Sequence, residues 1–399
     1  MRYDYGEYDG QPFPTPDSLF PQPKVVQFIL QYGQKALDAM DKLDSDEERE
    51  FLEQMIAAGL LERDAQTGQL RLTPKMVRGI EHRALLDIFQ GLHQGTRDGH
   101  TTLDPGQGDE RTDGGKAYEF GDPLSEIDLG ATMRNAAHRH MQAARESAGP
   151  APPPLPIHLN SDDFELHLTE GHTDTALCIL LDMSGSMMRY GRFFQAKRVA
   201  LGMASLVRAR FPQDTVDYVG FYSSASRLGE RDLPVVMPKP ISVHDYSVNL
   251  RVPLEQAADS RVPQHFTNLH MGLRLARQIL SRRGAANKQI FIITDGQPTA
   301  HVEPNPDGAP GSELLHLLYP PNERTTTITL KEAMRCMQQG IRIATFALIE
   351  DYWGLDWVGF VDQLTRLTRG TAYYCSSDDL SSTVIESYLN GKRKKSYIH

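Results

Sequence analysis

From residue 176 to the end of the chain, short apolar runs alternate with segments whose apolar residues recur every three or four positions. The short runs predict buried strands and the longer segments predict amphipathic helices. The predicted strands lie at about 176–181, 216–221, 290–293, 341–348 and 371–374. The predicted helices lie at about 193–210, 269–282, 330–339, 355–367 and 377–389. This alternation predicts an α/β fold with a doubly wound, mainly parallel sheet.

The N-terminal region has a different pattern. Residues 1–22 have no period and are expected to be flexible, whereas residues 23–150 are predicted to be mostly helical. Helices are predicted at about 24–40, 46–58, 74–92 and 129–146, with a hairpin at 60–72. Two helices, a hairpin and a helix are similar to a winged-helix arrangement, which binds either DNA or protein. Basic residues do not concentrate in one of these helices, which favours a protein contact.

Several segments are predicted to connect or extend these regions. The stretch 101–128 is acidic and glycine-rich and is predicted to be a linker or solvated loop, and 151–163 is a proline-rich connection. Strands at 157–159 and 164–168 are expected to form a hairpin on the edge of the main sheet. The main domain is predicted to span 164–391, with a basic tail at 392–399.

Composition narrows the functional classes. The chain has 399 residues and a formal net charge of −10, which disfavours nucleic-acid binding by bulk electrostatics. Its three cysteines lack CxxC spacing and are predicted to be core thiols: Cys178, Cys336 and Cys375. The N-terminus lacks a signal-peptide pattern, and no run reaches the roughly 20 apolar residues of a spanning helix. We therefore expect a cytoplasmic protein without a membrane partner.

A group of oxygen-bearing side chains follows the first strand of the main domain. Asp182, Ser184 and Ser186 stand at alternate positions directly after the apolar run 176–181. Parallel strands present such turns at their carboxyl edge, where α/β folds bind ligands. Three hard oxygen ligands favour Mg²⁺ or Mn²⁺, with Ca²⁺ as an alternative, over zinc or copper. Short Ser/Asp turns also cap helices, so these three residues alone leave a helix N-cap open.

Asp-x-Ser-x-Ser after a buried strand resembles the metal-ion-dependent adhesion site (MIDAS) of von Willebrand factor A-type (VWA) domains. The resemblance covers more than half of the chain and implies a Rossmann-like domain. It also implies two further oxygen donors, a Thr from a second loop and an Asp from a third, and the chain offers Thr267 and Asp295. With all five positions filled, the resemblance implies a Mg²⁺ site in which Ser184, Ser186 and Thr267 bind directly. Asp182 and Asp295 would act directly or through water.

A long proline-containing insertion at 299–327 follows the strand that carries Asp295. Together, the stretches 294–301, 319–321 and 390–395 resemble those of a group of bacterial A-type-domain proteins. That resemblance implies association with AAA+ ATPases of the MoxR and magnesium-chelatase type. The implied role is an accessory protein that captures an Asp or Glu of a partner through the bound ion.

Two other functional classes are alternatives to this role. A Mg²⁺-dependent phosphotransferase of the haloacid-dehalogenase type needs a second Asp where this chain has Ser184, and no phosphate-binding Gly-x-x-x-x-Gly-Lys-Ser/Thr loop occurs. A nucleic-acid-binding adaptor would have to act through the winged-helix-like region. His138 and His140 point to different sides of their helix and cannot chelate one ion. The sequence therefore predicts a binding module rather than an enzyme.

Overall fold

The computed structural model describes residues 23–42, 45–92, 110–118, 127–146, 159–170, 174–243, 245, 247–349, 355–377 and 379–393. The chain divides into two compact units: residues 1–96 with 174–391, and residues 97–173 with 392–399. The helical region predicted at 23–150 is therefore shared between the two units. The predicted flexible N-terminus and residues 151–158 of the proline-rich connection lie outside the described residues, as does the basic tail beyond Arg393.

Helices and strands are numbered separately in chain order. The strands are β1 (Leu61–Arg63), β2 (Leu70–Leu72), β3 (Glu110–Ala117), β4 (Glu165–Glu170), β5 (Thr175–Asp182), β6 (Thr215–Phe221), β7 (Ala225–Leu228), β8 (Val248–Pro253), β9 (Asn287–Thr294), β10 (Ala300–Pro304), β11 (Glu313–Tyr319), β12 (Ile341–Leu348) and β13 (Thr371–Cys375). The α-helices are α1 (Pro23–Tyr32), α2 (Gln34–Met40), α3 (Asp46–Ala57), α4 (Pro74–Leu92), α5 (Leu129–Glu146), α6 (Arg192–Arg210), α7 (Leu269–Ser281), α8 (Glu323–Gln338), α9 (Leu355–Thr368) and α10 (Leu380–Arg393).

The larger unit is built on a six-stranded sheet in the order β13-β12-β9-β5-β6-β7. All neighbours in this sheet are parallel except β6 and β7, which are antiparallel. The predicted doubly wound, mainly parallel sheet is confirmed. Among the described helices, none combines the length and apolar content that crossing a bilayer would need.

The continuously apolar sequence of the central strand β5 is explained by packing on both faces of the sheet. Leu177, Ile179 and Leu181 pack into the core on one face of the sheet, together with residues of α6 and α10. Cys178 and Leu180 pack on the other face against α7, α8 and α9. Both faces are covered, so every side chain of β5 is buried. Each large aliphatic side chain buried in this way stabilises the fold by about 2 kcal/mol.

The N-terminal helices pack on α6 and so enlarge one core of this unit. Helix α4 lies so close to α6 that a Cβ on Gly202 would come within 2.6 Å of Ile88. At the same contact the Arg208 guanidinium donates to the buried carboxylate of Glu81 over 2.6 Å. The single helix predicted at 24–40 is in fact two helices, because the backbone turns at Gly33 with φ of 59°.

The smaller unit contains β3, β4 and α5. Strand β4 pairs antiparallel with β3, and a register shift at Thr112/Gly115 accommodates the glycines. Arg139 of α5 donates to both oxygens of Asp163 over 2.9 and 2.8 Å. Two predictions are wrong here. The strand predicted at 164–168 does not join the main sheet, and part of the acidic stretch 101–128 is its partner strand rather than loop. Pairing between residues distant in sequence orders this glycine-rich segment.

The insertion predicted at 299–327 forms regular structure. It supplies β10, β11 and the start of α8, and the two strands join β8 in an antiparallel sheet of order β10-β11-β8. This sheet has its own small core, which includes Phe266, Ala300, Leu315 and Leu317. The insertion is therefore a folded hairpin beside the carboxyl edge of β9.

Candidate metal centre

Two adjacent strands of the main sheet end at the same edge and carry the predicted carboxylates there. Strand β5 ends at Asp182, and its parallel neighbour β9 ends at Thr294, directly before Asp295. After β5 the chain makes a 3₁₀ turn over Gly185–Gly191 and enters α6 at Arg192. Parallel pairing of β5 and β9 is thus what places Asp182 and Asp295 on one edge.

Four of the five predicted ligands lie in one hydrogen-bonded network. The hydroxyl oxygens of Ser184 and Ser186 are 3.1 Å apart, and the Ser186 hydroxyl donates to Asp295 Oδ1 over 2.7 Å. Asp182 Oδ1 accepts from the Ser184 backbone N–H over 2.8 Å, and its Oδ2 accepts from the Thr294 hydroxyl over 2.6 Å. The network therefore joins the Asp182–Ser186 turn to the end of β9.

Thr267 lies on the adjoining loop. Its backbone carbonyl accepts from the N–H groups of Thr299 and Ala300 over 3.0 and 3.1 Å, and its own N–H donates to the Thr299 hydroxyl over 2.8 Å. Two residues earlier, the carbonyl of His265 accepts from the Gly185 N–H over 3.0 Å. The Thr267 loop is thus fixed on one side to the Asp182–Ser186 turn and on the other to the insertion.

The two carboxylates of this network are buried, which disfavours their charged forms. Asp182 has no solvent-exposed surface, and Asp295 is also buried. Burial, and to a smaller extent the neighbouring charge of Asp295, raises the pKa of Asp182 to about 7. The Arg192 guanidinium donates to Asp295 Oδ2 over 2.7 Å. When both carboxylates are ionised, one guanidinium leaves a net negative charge, so a bound cation would favour the ionised form of Asp182.

The donor set fits a small hard cation. Neighbouring oxygens around an octahedral ion with bonds of 2.0–2.1 Å are about 3 Å apart. The spacings of Ser184 to Ser186 and of Ser186 to Asp295, at 3.1 and 2.7 Å, are close to this value. Both oxygens of Asp182 already accept hydrogen bonds, which favours a contact through water for that residue.

Sequence reasoning missed two residues of the network. Thr294 holds Asp182, and Arg192 holds Asp295. The position of Thr294 directly before Asp295 was a usable signal, because residues at the end of β9 face the same edge as the end of β5. Arg192 gave no such signal, since a basic residue at the start of a helix is usually solvated.

Comparisons with known proteins agree with this fold. The profile described as "Rv0959-like protein, vWA domain" matches residues 175–389, and "Rv0959-like protein, third domain" matches residues 110–169. The uncharacterized protein Rv0959 of Mycobacterium tuberculosis is 29% identical over 342 residues, which are 85% of this chain and 44% of that protein. The uncharacterized protein Mb0984 of Mycobacterium bovis matches with the same values. The chain thus spans less than half the length of these curated relatives.

Solved structures with a similar arrangement have low sequence identity. The PilB minor pilin of Streptococcus sanguinis matches 58% of this chain and 64% of its own, with 15% identity and a TM-score of 0.40. The vWF domain of the type V pili tip protein Mfa5 of Porphyromonas gingivalis matches 55% of this chain and 95% of its own, with 14% identity and a TM-score of 0.35. The family match over residues 175–389 covers more than half of the chain, which therefore belongs to the Rv0959-like family and carries its vWA domain.

Proposed function

We propose that this chain is a divalent-cation-dependent protein-binding module in which Asp182, Ser184, Ser186, Thr267 and Asp295 hold the cation. Mg²⁺ is the expected ion, with Mn²⁺ or Ca²⁺ as alternatives. The observation that carries this proposal is the hydrogen-bonded network of hydroxyls and buried carboxylates at the edge shared by β5 and β9.

Each residue would have a distinct part in holding the ion. The Ser184, Ser186 and Thr267 hydroxyls would bind it directly, and Asp295 would contribute Oδ1, since Arg192 already engages its Oδ2. Asp182 would act through water while Thr294 and the Ser184 N–H fix its carboxylate. The bound ion would offer a remaining coordination position to a hard anionic oxygen, such as a carboxylate of a partner protein.

The surface next to the cluster supports a protein rather than a small-molecule partner. Three large apolar side chains are exposed there: Met188, Tyr190 and Ile241. Met188 and Tyr190 belong to the 3₁₀ turn Gly185–Gly191, and Ile241 packs against Gly185 of the same turn. Aromatic and Met side chains are enriched in protein–protein interfaces, and exposed apolar patches mark interaction sites.

We further propose that the partner is an AAA+ ATPase of the MoxR and magnesium-chelatase type, for which the chain is a cytoplasmic accessory protein without enzymatic activity of its own. The stretches 294–301, 319–321 and 390–395 carry the resemblance behind this proposal. Ser184 stands where a phosphotransferase would need its second Asp, which argues against catalysis at this site.

Replacing Thr267 tests the proposed contact. Thr267→Ala removes one hydroxyl ligand and should retain Mg²⁺ while weakening partner binding by about 30- to 1000-fold, or roughly 2–4 kcal/mol, because a metal contact at an interface centre ranks as a hot spot. The measurement is capture of proteins from an extract of the source cells, with and without chelator, followed by mass spectrometry. Thr327→Ala, on the exposed side of α8, is the matched control.

The expected result is an AAA+ ATPase captured by the wild type and by Thr327→Ala in Mg²⁺, and lost with chelator or in Thr267→Ala. Equal capture in all conditions would mean that the oxygen cluster, which consists of Asp182, Ser184, Ser186, Thr267 and Asp295, is not the interface. Metal-dependent capture of a protein of another class would keep the binding function and reject the ATPase as partner.

A further inference from the structure

A second cluster of ligand-type side chains lies on the hairpin of β10 and β11, apart from the oxygen cluster. His301 and Glu303 are two residues apart on β10 and share one face of the strand. His316 of β11 is the direct cross-strand partner of His301. The pairing register therefore places two imidazoles and one carboxylate on the same face of the hairpin.

Distances within this cluster are short. His301 Nε2 and His316 Nε2 lie 3.7 and 3.6 Å from Glu303 Oε2, and the ligand atoms of all three residues lie within 4.8 Å of one another. The two imidazole rings are stacked, with centroids 4.8 Å apart and planes 6° from parallel. Ligands of a tetrahedral ion with bonds of about 2.0–2.1 Å are roughly 3.4 Å apart. Glu303 already stands near this separation from both imidazoles.

One nitrogen of the cluster is buried without a hydrogen-bond partner. His301 is fully buried, and its Nε2, which faces Glu303, is unsatisfied. Its other ring nitrogen, Nδ1, lies 2.9 Å from the Thr325 hydroxyl. If Nδ1 donates to Thr325, then Nε2 keeps a free lone pair, which is the tautomer that metal-binding histidines adopt. A buried polar atom without a partner is unfavourable, and a bound ligand would remove this penalty.

We propose that His301, Glu303 and His316 form a second metal site, selective for a borderline transition-metal ion of the zinc class. Two imidazoles and one carboxylate are a ligand set of zinc sites that keep a position open for water. Imidazole favours zinc, copper and nickel, whereas magnesium and calcium prefer oxygen. The cluster therefore differs in metal preference from the all-oxygen cluster at the sheet edge.

The surroundings of Glu303 suit this role. Arg324 donates to Glu303 over 3.0 and 2.9 Å and orients its carboxylate. The Arg324 side chain is 67% exposed, so its guanidinium can move into water when a cation binds.

An ion at this position would hold β10 to β11 next to the Thr267 loop. Ala300, directly before His301, donates its N–H to the Thr267 carbonyl, and Val302 donates to the His270 ring on α7. Ordering of the hairpin by a zinc-class ion would thus fix the backbone on which Thr267 rests. The proposed site is independent of the Mg²⁺ proposal, because none of its ligands is shared.

Zinc titration of the tag-free full chain tests this proposal. Calorimetry with ZnCl₂ in millimolar MgCl₂, which keeps the oxygen cluster supplied with its preferred ion, should reveal one zinc site per chain. Glu303→Gln and His316→Ala should each lower zinc affinity by more than about 10-fold, since even groups outside the coordination sphere contribute 10- to 100-fold. Co²⁺ substitution should give the visible absorption bands of a tetrahedral site.

Two controls accompany this titration. His82→Ala removes an exposed histidine of α4 and should leave zinc binding unchanged. Circular dichroism spectra and melting curves show whether Glu303→Gln and His316→Ala are folded. If His316→Ala does not fold, Glu303→Gln, which preserves the side-chain size, provides the test. Absence of zinc binding by the wild type, or full binding by folded Glu303→Gln and His316→Ala, would overturn the proposal.

Discussion

The oxygen cluster at the sheet edge and the imidazole cluster on the β10–β11 hairpin handle charge in different ways. In the oxygen cluster, the Arg192 side chain that pairs with Asp295 is only 10% exposed, and Asp295 is buried with it. In the hairpin cluster, the Arg324 side chain that pairs with Glu303 is 67% exposed. Removing one partner of a buried ion pair leaves the other charge buried and unpaired, which costs stability. The remaining partner of an exposed pair is solvated, so the cost is small. The same pairing of Arg with a carboxylate therefore has different consequences in the two clusters.

Removing the carboxylate from each pair should show this difference most clearly. We expect Asp295→Ala to lower the free energy of unfolding by about 3 kcal/mol, because it takes the carboxylate away from the buried Arg192 guanidinium. Glu303→Gln should change it by less than about 1 kcal/mol, since Arg324 is solvated. Urea denaturation without divalent cations measures both. The double variant Arg192→Met/Asp295→Ala should recover much of the lost free energy of unfolding. A further decrease would contradict the conclusion that Arg192 is destabilising once Asp295 is removed.

The two clusters also differ in whether they could be predicted from the sequence. Asp182, Ser184 and Ser186 lie within five residues and follow an apolar strand, so both the motif and its place at a sheet edge could be predicted. His301 and His316 meet only through antiparallel register, which depends on a turn and a core that the sequence pattern did not reveal.

Long-range contacts also explain the errors in secondary structure. Five of the six strands of the main sheet were predicted, because burial on both faces gives the inner strands apolar runs. The short antiparallel edge strand β7 was not predicted, because it is only partly buried. The helical pattern breaks at Gly33, where a Cβ would come within 2.2 Å of the carbonyl oxygen of Val235, a residue 202 positions away in the sequence. Strand β3 has little strand-like sequence and is ordered by pairing with β4. Such contacts have no local signal in the sequence.

The backbone around the oxygen cluster is tightly packed at Gly185 and open at Gly296. A Cβ on Gly185 would lie 2.4 Å from Ile241 Cγ1 and 3.2 Å from His265 Cβ. We expect Gly185→Ala to cost about 1–2 kcal/mol of stability, because the Ile241 side chain would have to move and His265 of the Thr267 loop would have to shift slightly. Gly296 follows Asp295 directly, and a Cβ there would meet no atom within 4 Å. Gly296→Ala should therefore change stability by less than about 0.5 kcal/mol. Thermal melting of the two variants compares them, and equal costs would refute the packing argument.

A pH effect is expected where α7 meets the hairpin. Burial lowers the pKa of His270 from 6.5 to about 4, and its Nδ1 accepts from the Val302 N–H over 3.2 Å. The unfolded chain binds this proton more readily than the folded one between these pH values, so stability should fall as pH decreases from about 6.5 to about 4. His270→Gln keeps an acceptor and should reduce that slope. An identical slope in wild type and variant, measured by urea denaturation across this range, would contradict the assignment.

Oxygen donors at the edge shared by β5 and β9 are proposed to bind one divalent cation. Calorimetric titration with Mg²⁺ measures this binding in the wild type, Asp182→Ala, Asp295→Ala and, as a control from the other cluster, Glu303→Gln. We predict one Mg²⁺ site in the wild type and in Glu303→Gln, and no measurable binding in folded Asp182→Ala or Asp295→Ala. Unchanged Mg²⁺ affinity in both aspartate variants would place the ion elsewhere and contradict the account.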